Sequence, residues 1–241
     1  MPDHHDDSHP PPLDRRQVLA LLAASSAGLT LGCSGGDTPT SPSTTGGSTT
    51  SGGTTTSATC AVAPNETVGP FPSLSDLVRS DIREGKPGAT LTLRLTVVNT
   101  SANCAPAANL LVDAWQCDAA GNYSSYGSQT GQTYLRGVQT TNAAGEAAFT
   151  TIYPGWYQGR ATHIHIEVLR GASSVKVTQI AFPETVNAAV YATGVYASRG
   201  PNTTSNARDG IFSDSLTSQV ATVTGDPATG YVATFQVGVA L

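Results

Sequence analysis

Hydrophobic and polar positions alternate through most of the chain after its first third. Residues 89–98, ATLTLRLTVV, set Leu91, Leu93, Leu95 and Val97 against Thr92, Arg94 and Thr96, which predicts a strand with one face on a core. Short β-rich runs follow at 110–116, 133–139, 147–152, 162–169 and 175–182, separated by Gly, Asn or Pro. Runs at 219–224 and 231–239 flank Gly225-Asp226-Pro227-Ala228-Thr229-Gly230, which predicts a hairpin. Only residues 184–192 suggest a helix. The pattern therefore predicts an all-β sandwich with long loops and little helix, without internal repeats or a phosphate-cradling Gly-rich loop.

The amino-terminal third changes this picture. Residues 1–13 are polar and Pro-rich, and Asp14-Arg15-Arg16-Gln17 then opens an apolar run at 18–31 that is short for a bilayer span. A charged front before such a run predicts a signal segment over residues 1–33, and the paired arginines suggest the twin-arginine route, which exports folded proteins. Cys33 stands where a lipoprotein signal would be cut and lipidated, although Thr30 is a poor start for that box, and plain cleavage is the alternative. Residues 34–59 are nearly all Ser, Thr, Gly, Pro and Asp, a flexible tether that cannot bury enough apolar surface to fold. Residues 60–241 then form one domain, expected to be exported to the periplasm or beyond, with a membrane anchor if Cys33 is lipidated.

Charge and cysteine narrow the classes further. A net charge of −5 with no basic run argues against nucleic acid as a partner. Cys60, Cys104 and Cys117 follow the signal, so an exported chain is expected to form one disulfide and leave one thiol, with spacing alone unable to choose the pair. The absence of C-x-x-C argues against a zinc ribbon or a thioredoxin-like site. Asn65, Asn99, Asn122 and Asn202 begin glycosylation sequons that a bacterial leader makes coincidental.

The chemistry concentrates in residues 153–168, YPGWYQGRATHIHIEV. In a strand beginning near His163, His163 and His165 share one face while Ile164 and Ile166 occupy the other. A same-face pair can be two half-buried histidines satisfied by backbone, or a metal site. The remaining histidines, His4, His5 and His9, lie in the leader, so a three-histidine zinc site is excluded for one mature chain and further ligands must be Tyr, Asp, Glu or thiolate. Asp113 or Glu167 could complete such a set, Glu167 sharing strand parity with His165. Trp156, Tyr157 and Arg160 precede the pair and can converge on the same pocket.

Four stretches together resemble a known family. Thr67-Val68-Gly69-Pro70-Phe71, Arg79-Ser80-Asp81-Ile82-Arg83-Glu84-Gly85, the run from Val112 through Trp115-Gln116-Cys117-Asp118 to Gly121-Asn122-Tyr123-Ser124, and Pro154-Gly155-Trp156-Tyr157 with Arg160-Ala161-Thr162-His163-Ile164-His165 resemble the intradiol ring-cleavage dioxygenases. The likeness is greatest to the protocatechuate 3,4-dioxygenase branch and its exported relatives, and runs in order from about Cys60 to Phe212. It implies a mononuclear non-haem Fe(III) held by Tyr123, Tyr157, His163 and His165, with Tyr126 and Tyr134 as competitors for the first tyrosine. It also implies catalytic roles for Tyr157, displaced by substrate and able to take a proton, for Arg160, whose charge would stabilise electron-rich substrate, and for pocket residue Gln179. Gly69 and Pro70 would shape a pocket wall, and Trp115 would be core.

The implied reaction inserts O2 between the hydroxyl-bearing carbons of a catechol to give a cis,cis-muconate-type product, with the electrons supplied by the substrate. Two features depart from relatives. Where catechol 1,2-dioxygenases carry a helical amino-terminal dimerisation region, this sequence has the signal segment and tether, so that dimer is not assumed and the oligomeric state stays open. The stretch GNYSSYGSQTGQTY, residues 121–134, carries no charge to hold a substrate carboxylate, which favours catechol or a substituted catechol over protocatechuate unless Arg136 or Arg199 approaches from elsewhere. A tethered binding module lacking ring-cleavage activity is the competing reading.

Overall fold

The computed structural model describes residues 60–74 and 76–241. The predicted signal segment, Cys33 and the tether lie outside the described residues.

The alternation of residues 89–98 becomes β1, Thr90–Asn99, in which Leu91, Leu93, Leu95 and Val97 are buried while Thr90 and Arg94 are exposed. After β2, Ala105–Pro106, come β3, Leu111–Trp115, β4, Arg136–Thr140, β5, Glu146–Ile152, β6, His163–Arg170, and β7, Ser173–Ala181. A helix, α1, Glu184–Tyr191, precedes the last strands, β8, Thr222–Asp226, and β9, Gly230–Val239. One sheet has the order β2-β1-β9-β8, with β5 also paired to β1, and the other has the order β4-β3-β6-β7. The chain is thus a β-sandwich, as the alternation predicts, and the core lies between Leu91, Leu93, Leu95, Phe149 and Ala233 of one sheet and Val112, Ala114, Ile164, Ile166 and Ile180 of the other.

Three boundaries differ from the pattern, each for a local reason. The predicted strand at 133–139 begins only at Arg136, because Leu135 has a left-handed φ of 56° that breaks extended pairing. The predicted strand at 219–224 begins at Thr222, since Gln219 and Val220 belong to a 3-10 turn and a bridge to Ala181. The hairpin turn is tighter than the six-residue loop suggests, with Asp226 and Gly230 already paired and the Asp226 carboxylate capping the Ala228 and Thr229 amides. Hydrophobic periodicity also could not reveal that β9 pairs parallel to β1, from Leu91↔Tyr231 to Asn99↔Val239.

Strand β6 is buried on both faces except at Glu167 and Arg170. Its Ile face meets the core. Its His face is covered by the segment before β1, which crosses the second sheet through hydrogen bonds from the Glu66 amide to Val177, from the Val138 amide to Leu77 and from the Arg79 amide to Val138. Arg79 adds donations to the Thr133 and Arg136 carbonyls at 2.7 and 2.8 Å and pairs with Glu84. The segment is anchored at its start by the Cys60–Cys104 disulfide, and Cys117 is left as a buried free thiol.

The disulfide closes a loop with a sequence separation of 44. Loop-closure entropy for a cross-link of that span is worth about 4 kcal/mol. Cys104→Ser is expected to lower the unfolding free energy by roughly that amount in urea titrations, and a loss below about 1 kcal/mol would show that this bond does not constrain the unfolded chain.

Candidate active site

Pairing register assembles the site before any loop contributes. Arg136 of β4 stands opposite Trp115 of β3, Trp115 opposite His165 of β6, and His165 opposite Gln179 of β7. Opposed residues point to the same side of a sheet, so Arg136, Trp115, His165 and Gln179 form one row across four strands, with His163 one step along. Trp115 is therefore more than a core residue. Its ring lies flat on His165, with centroids 4.9 Å apart and an interplanar angle of 4°, so it fixes the imidazole plane.

The two imidazoles converge. His163 Nδ1 lies 2.6 Å from the Ala161 carbonyl, an acceptor, so the ring proton belongs there and Nε2 keeps its lone pair. That Nε2 stands 3.1 Å from His165 Nε2 and 3.3 Å from the Tyr123 hydroxyl. His165 Nδ1 is buried without a partner, and Gly69 backs onto the same edge, where a Cβ would come within 2.9 Å of Cε1. The close approach of the segment before β1 thus requires glycine at position 69, whose φ is 74°.

Tyr123 reaches this point through a loop built by Asp118. The Asp118 carboxylate accepts from the amides of Ala120 and Asn122 at 3.0 and 2.9 Å and pairs with Lys86 at 2.7 Å. Gly121 sits between them at a φ of 82°, where a Cβ would collide with the Trp156 carbonyl. The competing tyrosines are turned elsewhere, Tyr126 donating to the Pro72 carbonyl at 2.9 Å and Tyr134 to Asp118 at 3.4 Å. Phe71 stacks on Tyr123 at 4.8 Å and meets Tyr157 edge-on at 5.9 Å, closing the aromatic wall. Tyr157 lies 5.8 Å from Tyr123 and 5.6 Å from His163 by ring centroids, and is only partly buried.

Arg160 joins the phenol to the sheet. Its Nη1 donates to the Tyr157 hydroxyl at 3.3 Å and its Nη2 to Gln179 Oε1 at 2.5 Å, while Gln179 Nε2 donates to the Thr67 carbonyl at 2.8 Å. Its Nε meets Asp209 at 2.9 Å. Asp209 was not legible as a site residue, because it lies 49 positions from Arg160 in a Ser/Asn-rich loop with no motif.

The structure brings Tyr123, Tyr157, His163, His165, Arg160 and Gln179 to one place. It does not bring Arg136 or Asp113 to bear. Arg136 is fully buried with every nitrogen engaged, at Ser124 Oγ, the Ser124 carbonyl and the Phe71 and Pro72 carbonyls. Asp113 faces Glu167 on the far side of Trp115, and no group of three or more His, Cys, Asp or Glu among the described residues could hold a metal ion. A site made of the histidine pair with Asp113 or Glu167 is thereby removed. Two imidazole nitrogens and two phenol oxygens remain, a hard oxygen and nitrogen donor set that fits a ferric ion and disfavours soft metals.

Burial sets the protonation of these groups. Desolvation holds His163 down at about 3 and His165 well below its ordinary value, so both imidazoles are neutral at neutral pH. The same desolvation pushes the Tyr123 phenol well above its ordinary value and raises Tyr157, which Arg160 partly offsets by charge and hydrogen bond.

The family model described as dioxygenase matches residues 67–199, more than half of the chain. A solved intradiol ring-cleavage dioxygenase from Tetranychus urticae is 26% identical, with a TM-score of 0.70 over 75% of this chain and 95% of that one. The chain belongs to the intradiol ring-cleavage dioxygenases. The dioxygenase domain of a dioxygenase and carbohydrate-binding fusion from Streptomyces sp. SirexAA-E is similar at 27% identity and a TM-score of 0.57, covering 75% of this chain and 99% of that one. A 3-chlorocatechol 1,2-dioxygenase from Rhodococcus opacus 1CP shares the fold, at 19% identity and a TM-score of 0.53 over 74% and 72% of the two chains. No curated protein matches. In this intradiol dioxygenase the matched segment contains both histidines, both tyrosines, Arg160 and Gln179, whereas Asp209 lies beyond it.

The depressed imidazoles make the metal-free protein acid-sensitive. Each is neutral when folded and takes a proton when unfolding below its ordinary 6.5, so its stabilisation is complete above that pH and is lost as pH falls, for His163 toward about 3. Asp113, raised by burial from 3.8 to about 7, acts oppositely, losing stabilisation as pH rises through that window. Two imidazoles outweigh one carboxyl, so unfolding free energy should fall by about 1.4 kcal/mol per pH unit below pH ~6. Urea titrations at pH near 6.5 and near 4.5 check this, and a stability that rises on acidification would contradict a neutral histidine pair.

Proposed function

We propose that this chain is a non-haem iron dioxygenase that cleaves a catechol between its two hydroxyl-bearing carbons with O2, giving a cis,cis-muconate-type product. The observation that carries the reading is the convergence of His165 Nε2 and the Tyr123 hydroxyl on His163 Nε2, at 3.1 and 3.3 Å, with the partly exposed Tyr157 beside them. These four residues would hold the metal, and ferric iron, when bound, would take both catechol oxygens and draw electron density from the ring so that carbon can react with O2. Because burial raises both phenols, loading the metal would release their protons, which makes uptake pH-dependent.

The chain's own residues support the remaining steps. Tyr123 is the buried phenol, stacked under Phe71, and suits a permanent ligand. Tyr157 is the partly exposed one and already has a second partner in Arg160, so its phenol oxygen can accept a catechol proton while the Nη1 donation holds it in place. Arg160, with Gln179 bound to its Nη2, presents fixed positive charge where the substrate ring becomes electron-rich.

The charges around the site support a neutral substrate class. Residues 121–134 are uncharged, every Arg136 nitrogen is engaged by protein, and Lys86 is paired with Asp118. Arg199 stacks on Trp156 at 4.3 Å and donates to the Ala120 carbonyl. None of these leaves an unpaired cation buried beside the ligand cluster, so a ring carboxylate would be desolvated without a partner. Export is part of the same proposal. A disulfide in a domain with few cysteines suits an oxidising compartment, consistent with the predicted leader, with Cys33 as the anchor if it is lipidated.

Tyr157→Phe in the iron-loaded protein is expected to weaken the visible tyrosinate band and lower kcat by about tenfold or more, by analogy with other single-group losses at a reacting centre. Tyr123→Phe should cost most of the bound iron. A wild-type protein that stays colourless after iron loading would instead leave a binding module. At neutral pH, kcat/KM for catechol should exceed that for protocatechuate by at least about tenfold, the effect of leaving one charge unpaired. Equal values would remove the neutral-substrate reading.

A further inference from the structure

We infer that Asp209 is a positioning residue for ring cleavage, acting through Arg160. This rests on the ring-cleavage reading above and extends it to a segment outside residues 67–199, the stretch matched by the family model.

Arg160 leaves a short loop, its amide bonded to the Tyr157 carbonyl at 3.2 Å. An arginine free to sample its rotamers would lose side-chain entropy in being ordered at the moment of reaction. Asp209 removes that freedom in advance. Its carboxylate is fully buried and accepts from Arg160 Nε at 2.9 and 3.2 Å, from the Ala161 amide at 2.6 Å and from the Ile211 amide at 2.8 Å. The same contact therefore fixes both the guanidinium and the backbone that leads into His163.

The surrounding segment reinforces this hold. Asn202 Nδ2 donates to the Arg160 carbonyl at 2.9 Å, and the Phe212 ring lies 5.9 Å from the guanidinium and edge-on to His163 at 6.5 Å. A guanidinium is planar, so anchoring Nε at Asp209 dictates where the other two nitrogens point. They point at the Tyr157 hydroxyl and at Gln179 Oε1, the two groups the reaction needs in place. Asp209 also compensates the burial of the Arg160 charge through an ion pair at 2.9 Å. Among the described residues the Asp209 carboxylate is hydrogen-bonded to Arg160, Ala161 and Ile211 and to no ligand side chain, so its charge acts on the site chiefly through Arg160.

The test is a double-mutant cycle in the iron-loaded full chain with catechol as substrate. Asp209→Asn keeps the size and one acceptor for the Ala161 amide while removing the charge that holds Nε. It is expected to retain iron, to lower kcat about ten- to hundredfold with KM changed less than about threefold, and to shift the tyrosinate band to longer wavelength as Tyr157 loses its donor. In an Arg160→Ala background the same substitution should cost less than about twofold more, because the two act as one unit. Asp209→Glu, which keeps the charge, should recover part of kcat, and it carries the same readouts if Asp209→Asn fails to fold. Multiplicative effects in the double variant, or a wild-type band and kcat in Asp209→Asn, would overturn the assignment. A wild-type protein without the band or ring cleavage would overturn the functional reading itself, so the two failures are told apart.

Discussion

Everything in this molecule depends on one strand being buried on both faces for different reasons. In β6, Ile164 and Ile166 seal the core between the sheets while His163 and His165 project into a second, polar interior. A period of two allows no compromise, since a slip of one residue would exchange imidazoles for isoleucines everywhere at once. The register with β3 and β7 is therefore as much a part of the site as the histidines are. Trp115 and Gln179 arrive beside His165 because backbone pairing sends them there.

A second interior must be closed, and the chain closes it with polar groups that have partners. The segment before β1 is laid over the histidine face by hydrogen bonds to strand edges, and buried Arg136 stitches its Phe71 and Pro72 carbonyls to Ser124. Asp118 does the equivalent for the Tyr123 loop, and Asp209 for Arg160. In each case a charge is removed from water and is tolerated only because several donors or acceptors surround it. Closure also excludes water from the imidazoles, and it is this desolvation that resists their protonation as pH falls.

The three arginines near the site show how one residue type separates into different roles by what surrounds it. Arg136 is consumed by carbonyls and is architectural. Arg199 lies over Trp156 at the surface and links the Ala120 turn to the segment after α1. Arg160 alone is held on one side by a carboxylate and left with two nitrogens facing the phenol and the amide. Position within a motif singles out Arg160, but only contacts distinguish a fork bound to site side chains from one consumed by backbone carbonyls.

Local order in the sequence determined what local physics can determine. Strand alternation, the same-face histidine pair, the turn residues and the helix at 184–192 were legible because each depends on neighbours within a few positions. The tyrosine now beside His163 was indicated by the family resemblance around Trp115 and Tyr123, not by local pattern. Tertiary structure alone decided that Cys60 pairs with Cys104, that β9 runs parallel beside β1, that Tyr126 and Tyr134 turn away, that Arg136 is unavailable and that Asp209 holds Arg160. These are contacts between residues dozens of positions apart. Periodicity and spacing carry no information about them, because the entropy of closing such loops is repaid only once the whole sandwich has formed.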